Sequence, residues 1–263
     1  MNVLKANGQV LHFSDEGPSD GPAVVFSNSL GTDFRVWDPL MPHLPDSLRI
    51  IRYDKRGHGL SSCPKSPYTI EDHRDDIAGL LDGLAIERTA FVGLSVGGMI
   101  GQALSAARPD LVKALVLCDT GHVIGPPSVW EDRFRAIEAG GIGAMSDGIL
   151  QRWFSARFHA ERPDELQLWR AMLTRTPVEG YLGTCRAIQS ADLTEAASNL
   201  AMPTICVVGS EDGATTPELM RSTAELIGAD LHEIDGAGHL PCVETPEALA
   251  AIVLPFLKEN GFA

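Results

Sequence analysis

The sequence predicts an α/β fold: a mostly parallel sheet with helices on both faces and a helical segment inserted in its second half. Two observations carry this. Short runs that are apolar on both faces alternate with longer stretches of helical period, the pattern of buried parallel strands joined by crossover helices. The alternation then stops between His122 and Ser198 and resumes afterwards.

The strand candidates come in order. Ala23–Phe26 ends at Ser27–Asn28–Ser29, Arg49–Tyr53 at Asp54, Ala90–Val92 at Gly93, Ala114–Cys118 at Asp119 and Thr204–Val208 at Gly209. An alternating run, Leu231–Ile234, follows near the end. Between them, Thr69–Ile70–Glu71–Asp72 reads as a capping box opening a helix. Ile77, Leu80, Leu81 and Leu84 continue it at helical spacing. Gly98–Arg108 reads as a helix stopped by Pro109, and Thr245–Pro246 opens a last one. The segment 122–198 offers helices near Val129–Ala139, Ala144–Ser155, Pro163–Leu173 and Val178–Ser190. They carry Trp130, Trp153, Phe154, Trp169 and Tyr181 as exposed-looking aromatics. Residues 1–121 and 199–263 are therefore expected to form the core, and 122–198 a helical cap over the site.

At 263 residues the chain is long enough for one such core with an insertion, and short for two full domains. A formal charge of −14 disfavours nucleic acid and anionic membranes as partners. An anionic substrate would need a local cation. No apolar run reaches the roughly 18–20 residues of a membrane helix, and Met1–Gly8 lacks the basic start and apolar core of a secretory signal. The five cysteines are scattered without a CxxC pair, and Cys118 and Cys206 sit in apolar runs. A reducing cytoplasm fits that usage. No metal or organic-cofactor motif is present.

The strongest chemical signal is Gly93–Leu94–Ser95–Val96–Gly97–Gly98. A Gly-x-Ser-x-Gly turn between a strand and a helix strains the serine and projects its Oγ clear of the sheet. Small residues are needed at Gly93 and Gly97, because side chains there would clash. Serine becomes a nucleophile only beside a base. Of eight histidines, His239 suits that role, in the loop Gly236–Pro241 just past a strand and last in the order Ser…Asp…His. His58, within Asp54–Gly59, is its competitor and is expected to fix a loop. His122 lies near the cap hinge, where it could face the cleft.

Asp212, in the loop after Thr204–Val208, is the expected partner of the imidazole. Glu211 and Asp119 are the alternatives. A helix N-cap is the structural explanation for these acids, and Asp119 fits it best. Carbonyl attack also needs two N–H donors for the oxyanion. Val96, directly after the nucleophile, and Leu30, in Ser27–Thr32, are assigned by backbone position.

Taken together, Gly93–Gly98, Tyr53–Gly59, Gly209-x-x-Asp212 and Gly238–His239 resemble the α/β-hydrolase superfamily over nearly the whole chain. That resemblance implies an eight-stranded sheet. Ser27–Asn28–Ser29–Leu30–Gly31–Thr32–Asp33 stands where many members carry His-Gly, and is similar to the 3-oxoadipate enol-lactonases of aromatic catabolism. Arg52–Asp54, Pro67–Glu71, Ile124–Trp130, Arg152–Phe154 and Glu179–Tyr181 fit the same group. Gly236–Pro241 departs toward the general superfamily pattern.

The resemblance implies hydrolysis of 3-oxoadipate enol-lactone, a small ring with one carboxylate, through an acyl-enzyme on Ser95. Arg133 follows Trp130 at i+3, so both leave one helix face. Arg133 is expected to pair with the carboxylate and Trp130 to wall the ring; the bland reading makes them a solvated residue and cap packing. A broad carboxylesterase or a carbon–carbon bond hydrolase would use the same triad. A non-catalytic ligand-binding protein could share the fold. Haloalkane dehalogenation is disfavoured, because Ser95 rather than an aspartate holds the nucleophile position.

Overall fold

The computed structural model describes residues 1–262. Its single sheet has eight strands in the order β1-β2-β4-β3-β5-β6-β7-β8. These are β1 (Asn2–Ala6), β2 (Gln9–Glu16), β3 (Ala23–Ser27), β4 (Arg49–Tyr53), β5 (Thr89–Leu94), β6 (Val112–Cys118), β7 (Thr204–Gly209) and β8 (Asp230–Ile234). Strands β3 to β8 run parallel, whereas β1 and β2 pair antiparallel at one edge. Every residue of β3 and β5 is buried, which is why they read as unbroken apolar runs. The β1–β2 hairpin falls outside the strands expected from the sequence. Its turn, Asn7–Gly8, has φ of 46° and 76°, the positive pair that a tight hairpin turn selects Asn-Gly for.

The helices are α1 (Ile70–Gly83), α2 (Val96–Ala107), α3 (Pro127–Trp153), α4 (Ala156–Glu161), α5 (Pro163–Thr174), α6 (Val178–Ser190), α7 (Thr194–Ser198), α8 (Pro217–Ile227), α9 (Pro241–Glu244) and α10 (Pro246–Glu259). The capping box is present: Asp72 N–H donates to Thr69 Oγ1 at 3.1 Å, and Thr69 N–H to Asp72 Oδ2 at 2.9 Å. Arg56 donates to the buried Asp76 of α1 at 2.6 Å, tying α1 to the turn after β4.

Five helices and no strand lie between β6 and β7. The two helices expected over 129–155 are present as the two halves of α3, which meet at Gly141, whose φ of 69° and ψ of 178° are not helical. Glycine adopts that conformation without steric cost, so the helix breaks there and resumes on the other side of a kink. Ser155 lies beyond α3 and caps α4, an additional helix: Phe158 N–H donates to its Oγ at 3.2 Å. The five aromatics expected to be exposed are all buried. Phe154 stacks on Phe158 with ring centroids 4.2 Å apart, and Trp169 packs beside them. A helical wheel shows an apolar stripe but not what covers it. Here the helices cover one another and the sheet top. The short α7 packs on α2 and α8, helices of the sheet layer.

One contact between the insertion and the strand layer leaves no room for side chains. Gly57 and Gly180 meet backbone to backbone, and a Cβ on either would overlap the other. Because backbone, not a flexible side chain, is in the way, Gly180→Ala is expected to cost about 1–3 kcal/mol. A lowered Tm with raised KM is the expected readout of thermal melts and steady-state kinetics. An unchanged Tm would show that α6 shifts freely.

Candidate active site

Ser95 sits between β5 and α2 with φ 58° and ψ −121°, a conformation that costs a non-glycine residue on the order of 1–3 kcal/mol. Hydrogen bonds hold it there. Ser95 N–H donates to Cys118 O at 2.9 Å, and Thr120 Oγ1 donates to Ser95 O at 2.6 Å. The flanking glycines are required by contact: a Cβ on Gly97 would overlap the Ser27 carbonyl, and one on Gly93 the Gly97 carbonyl. The turn is therefore forced, and Ser95 stands at the carboxyl end of the sheet, 7% exposed.

His239 and Asp212 lie on the loops after β8 and β7. His239 Nδ1 is 2.9 Å from Asp212 Oδ2. Asp212 also accepts from Ala214 N–H at 2.7 Å, Thr215 N–H at 3.0 Å and Thr215 Oγ1 at 2.7 Å. Burial pushes the Asp212 carboxyl upward, but His239 and the Thr215 donors outweigh it and hold the pKa below its usual value. The other ring nitrogen, Nε2, lies 3.4 Å from Ser29 Oγ and opens into the cavity that Ser95 also lines.

Both loops are fastened to the end of α3. His239 N–H donates to Trp153 O at 2.9 Å, and Gly213 N–H to Arg152 O at 3.3 Å. Glu244 joins them further: it accepts from Gly238 N–H at 2.9 Å and from Ser155 Oγ at 2.6 Å.

Asp119 is not a helix cap. It directly follows β6 with φ 45°, fully buried, and the next helix begins at Pro127. Its Oδ1 accepts from Gly209 N–H at 2.9 Å, while its Oδ2 has no partner among the described residues. Burial first, and the charge of Asp212 second, raise its pKa well above the usual value, because both disfavour its charged form. Asp119, Asp212 and His239 bring ligand-type atoms within 4.8 Å of one another. Asp212 is already committed to His239, Ala214 and Thr215, so the cluster is a hydrogen-bonded carboxylate–imidazole pair with Asp119 beside it rather than an open coordination sphere.

Glu211 points elsewhere, accepting from Ala156 N–H at 3.1 Å. His58 does fix a loop: Gly31 N–H donates to its Nε2 at 3.0 Å. His122 turns away from the cleft and pairs with Thr223 of α8, 3.0 Å from Nδ1 to Oγ1.

The cavity over Ser95 has a volume of about 250 Å³. Ser29, Leu30, Trp130, Arg133, Arg152 and His239 are among its walls. Trp130 and Arg133 share one face of α3 as the i+3 spacing requires, with the guanidinium carbon 4.9 Å from the ring centroid. Trp130 is itself tethered, donating from Nε1 to Ile124 O at 2.9 Å. Arg133 donates to Tyr181 Oη at 3.4 Å. Arg152, from the last turn of α3, was not expected from the sequence. Burial and the nearby charge of Arg133 push its pKa down, and among the described residues no carboxylate acts on either arginine.

The model of the alpha/beta hydrolase family matches residues 24–252. The chain belongs to the alpha/beta hydrolase family. Two 3-oxoadipate enol-lactonases of Acinetobacter baylyi resemble this hydrolase along its length. One is 31% identical, over 98% of this chain and 96% of its own; the other is 32% identical, over 97% and 96%. The crystal structure of the enol-lactonase from Burkholderia xenovorans LB400 superposes with a TM-score of 0.94 at 38% identity, covering 98% of this chain and all of that one. Beyond Arg152, the functional surroundings that the sequence left unread are Ser29, Thr215 and Glu244. Thr215 follows Asp212 by three residues, a spacing that marks a side-chain-bonded turn and could have drawn attention to it.

Proposed function

We propose that this hydrolase opens a small enol-lactone bearing one carboxylate, 3-oxoadipate enol-lactone, to give 3-oxoadipate. The observation that carries the reading is the cavity itself, which joins Ser95 and His239 to two guanidinium groups without a carboxylate partner among the described residues. In a chain of net charge −14, such cations are costly unless an anion arrives to pair with them. A volume of about 250 Å³ suits a small ring, being below the roughly 300–1,000 Å³ of drug-sized sites. The relatives named enol-lactonase support the same substrate class.

In this reading Ser95 is the nucleophile, His239 the base and Asp212 the group that orients the imidazole. His239 takes the Ser95 proton as Oγ attacks the ring carbonyl. The Leu30 and Val96 N–H groups hold the oxyanion. The ring C–O bond then breaks, and the leaving enolate collects the proton and settles as a ketone. His239 next takes a proton from water, the hydroxide cleaves the acyl-enzyme, and the proton returns to Ser95. The helices of 122–198 act as a cap that shapes the cavity and keeps His239 and Asp212 in register.

The test follows the loss of ultraviolet absorbance of the enol-lactone beside hydrolysis of a neutral aryl ester. The lactone is expected to have the higher kcat/KM. Arg133→Ala is expected to raise its KM about 10- to 100-fold, the loss of a charge-assisted pair, with aryl-ester turnover little changed. Arg152→Ala is expected to act in the same direction. Turnover of the aryl ester alone would leave a carboxylesterase and remove the enol-lactone assignment.

A further inference from the structure

Lys55 is 1% exposed, and its ammonium lies beneath the loop that carries Leu30. It donates to Ser29 O at 2.6 Å and to Thr32 O at 3.5 Å. Neither nearby acid is free for it. Asp54 accepts from Phe34 N–H and Leu60 N–H, each at 2.9 Å, and lies 2.8 Å from His12 Nδ1; Asp33 is paired with Arg35. A buried ammonium satisfied by carbonyls costs the fold desolvation, and burial lowers its pKa to about 7. An apolar side chain of the same length would fill the space without that penalty.

What the charge touches explains its presence. Ser29 O and Leu30 N–H belong to one trans peptide, so they point in opposite directions. Drawing the carbonyl inward to Lys55 turns the N–H the other way, toward the cavity lined by Ser29, Leu30, Ser95 and His239. The Leu30 N–H has no partner among the described residues, and its neighbour Gly31 is pinned separately by His58. A charge-assisted bond at the carbonyl also polarises the amide and strengthens its N–H as a donor.

We propose that Lys55 is a positioning residue for the oxyanion site, holding and polarising the Ser29–Leu30 peptide so that the Leu30 N–H is aimed before substrate binds. This rests on Leu30 being an oxyanion donor. Without Lys55 the Ser29 carbonyl keeps only Thr32, whose Oγ1 donates to it at 2.9 Å and whose N–H donates at 3.4 Å; the peptide is then held without a charge and flips more readily to present its carbonyl, which would repel the developing charge.

The test uses Lys55→Met and Lys55→Gln in the full chain, with folding checked by circular dichroism and thermal melts. Three quantities are read: kcat and KM for the ester or lactone, affinity for a boronic acid that forms a tetrahedral adduct on Ser95, and affinity for 3-oxoadipate. A folded neutral variant is expected to lose about 10- to 100-fold in kcat and a similar factor in boronate affinity. KM and 3-oxoadipate affinity should stay within about threefold of wild type. Gln keeps an N–H donor and is expected to lose less than Met. A folded variant with wild-type kcat and boronate affinity overturns the proposal. So does one whose 3-oxoadipate affinity falls as far as its boronate affinity, because the whole loop would then have collapsed. Failure of the wild-type protein to turn over any ester or bind the boronate would instead remove the hydrolytic reading beneath it.

Discussion

Ser95→Ala is expected to lower kcat by on the order of 10⁴–10⁶-fold with KM little changed, as loss of a serine nucleophile does elsewhere. The expectation rests on placement. Ser95 occupies the strained turn above β5 and opens onto the same cavity as His239 Nε2, and the sequence offers no second serine in such a turn. Ser29 Oγ, 3.4 Å from that nitrogen, lies outside any strained turn. Ser29→Ala is therefore the control that should retain most activity. Stability should move the other way. Ser95→Gly relieves about 1–3 kcal/mol of backbone strain against about 0.5–1 kcal/mol of added chain entropy. It is expected to melt above Ser95→Ala. Calorimetry of the two variants reads that difference, and the reverse order would mean that the φ of 58° stores no usable strain.

Asp212→Asn is expected to cost on the order of 10⁴-fold in kcat. An amide nitrogen facing His239 Nδ1 donates where a carboxylate accepts. It moves the imidazole proton to Nε2, the position that must be bare to take a proton from Ser95. Asp119→Asn, one strand away, is expected to leave kcat within a few-fold of wild type. Burial and Asp212 disfavour a charge on Asp119, and Asn can still accept from Gly209 N–H while offering N–H toward Asp212. The two aspartates also act on stability with opposite sign. The folded pKa of Asp212 is lowered, so it stabilises the fold above its unfolded value near 4, and that contribution is lost as pH falls through the folded value. The folded pKa of Asp119 is raised, so it costs stability as pH rises above its unfolded value near 4, where the unfolded chain releases this proton more readily than the folded one. Asp119→Asn is accordingly expected to raise Tm at pH 7 and to have little effect near pH 3. Kinetics and melts of both variants across this range check the pair. Equal losses of kcat would show that Asp119 and Asp212 share the work of orienting His239.

The fold was legible because its central strands are buried on both faces. β3 and β5 admit almost nothing but apolar residues, and the glycines around Ser95 have no room for a Cβ. The β1–β2 hairpin was harder to read because its outer strand is largely exposed and weakly apolar. Its one strong signal, Asn7–Gly8, is a turn rather than a run. The helical insertion was legible as helix and misjudged as surface. Trp130, Trp153 and Tyr181 look exposed on a wheel, and only packing shows the cavity and the neighbours that cover them.

The sequence alone determined which residue types stand at the ends of which strands. Ser95, Asp212 and His239 follow from local constraints: a turn that only small flanking residues permit, and loops that leave buried strands at one end of the sheet. Tertiary structure decided everything that depends on distant segments meeting. It selected Asp212 over Asp119 as the partner of His239, although both end neighbouring strands. It brought Arg152 beside Arg133 through a kink at Gly141, and it seated the Lys55 ammonium under the Ser29 carbonyl. Each is a contact between chain segments whose spacing carries no period, so no local pattern encodes it. Only the closing of the sheet and the docking of the helices onto it bring those groups within hydrogen-bonding reach.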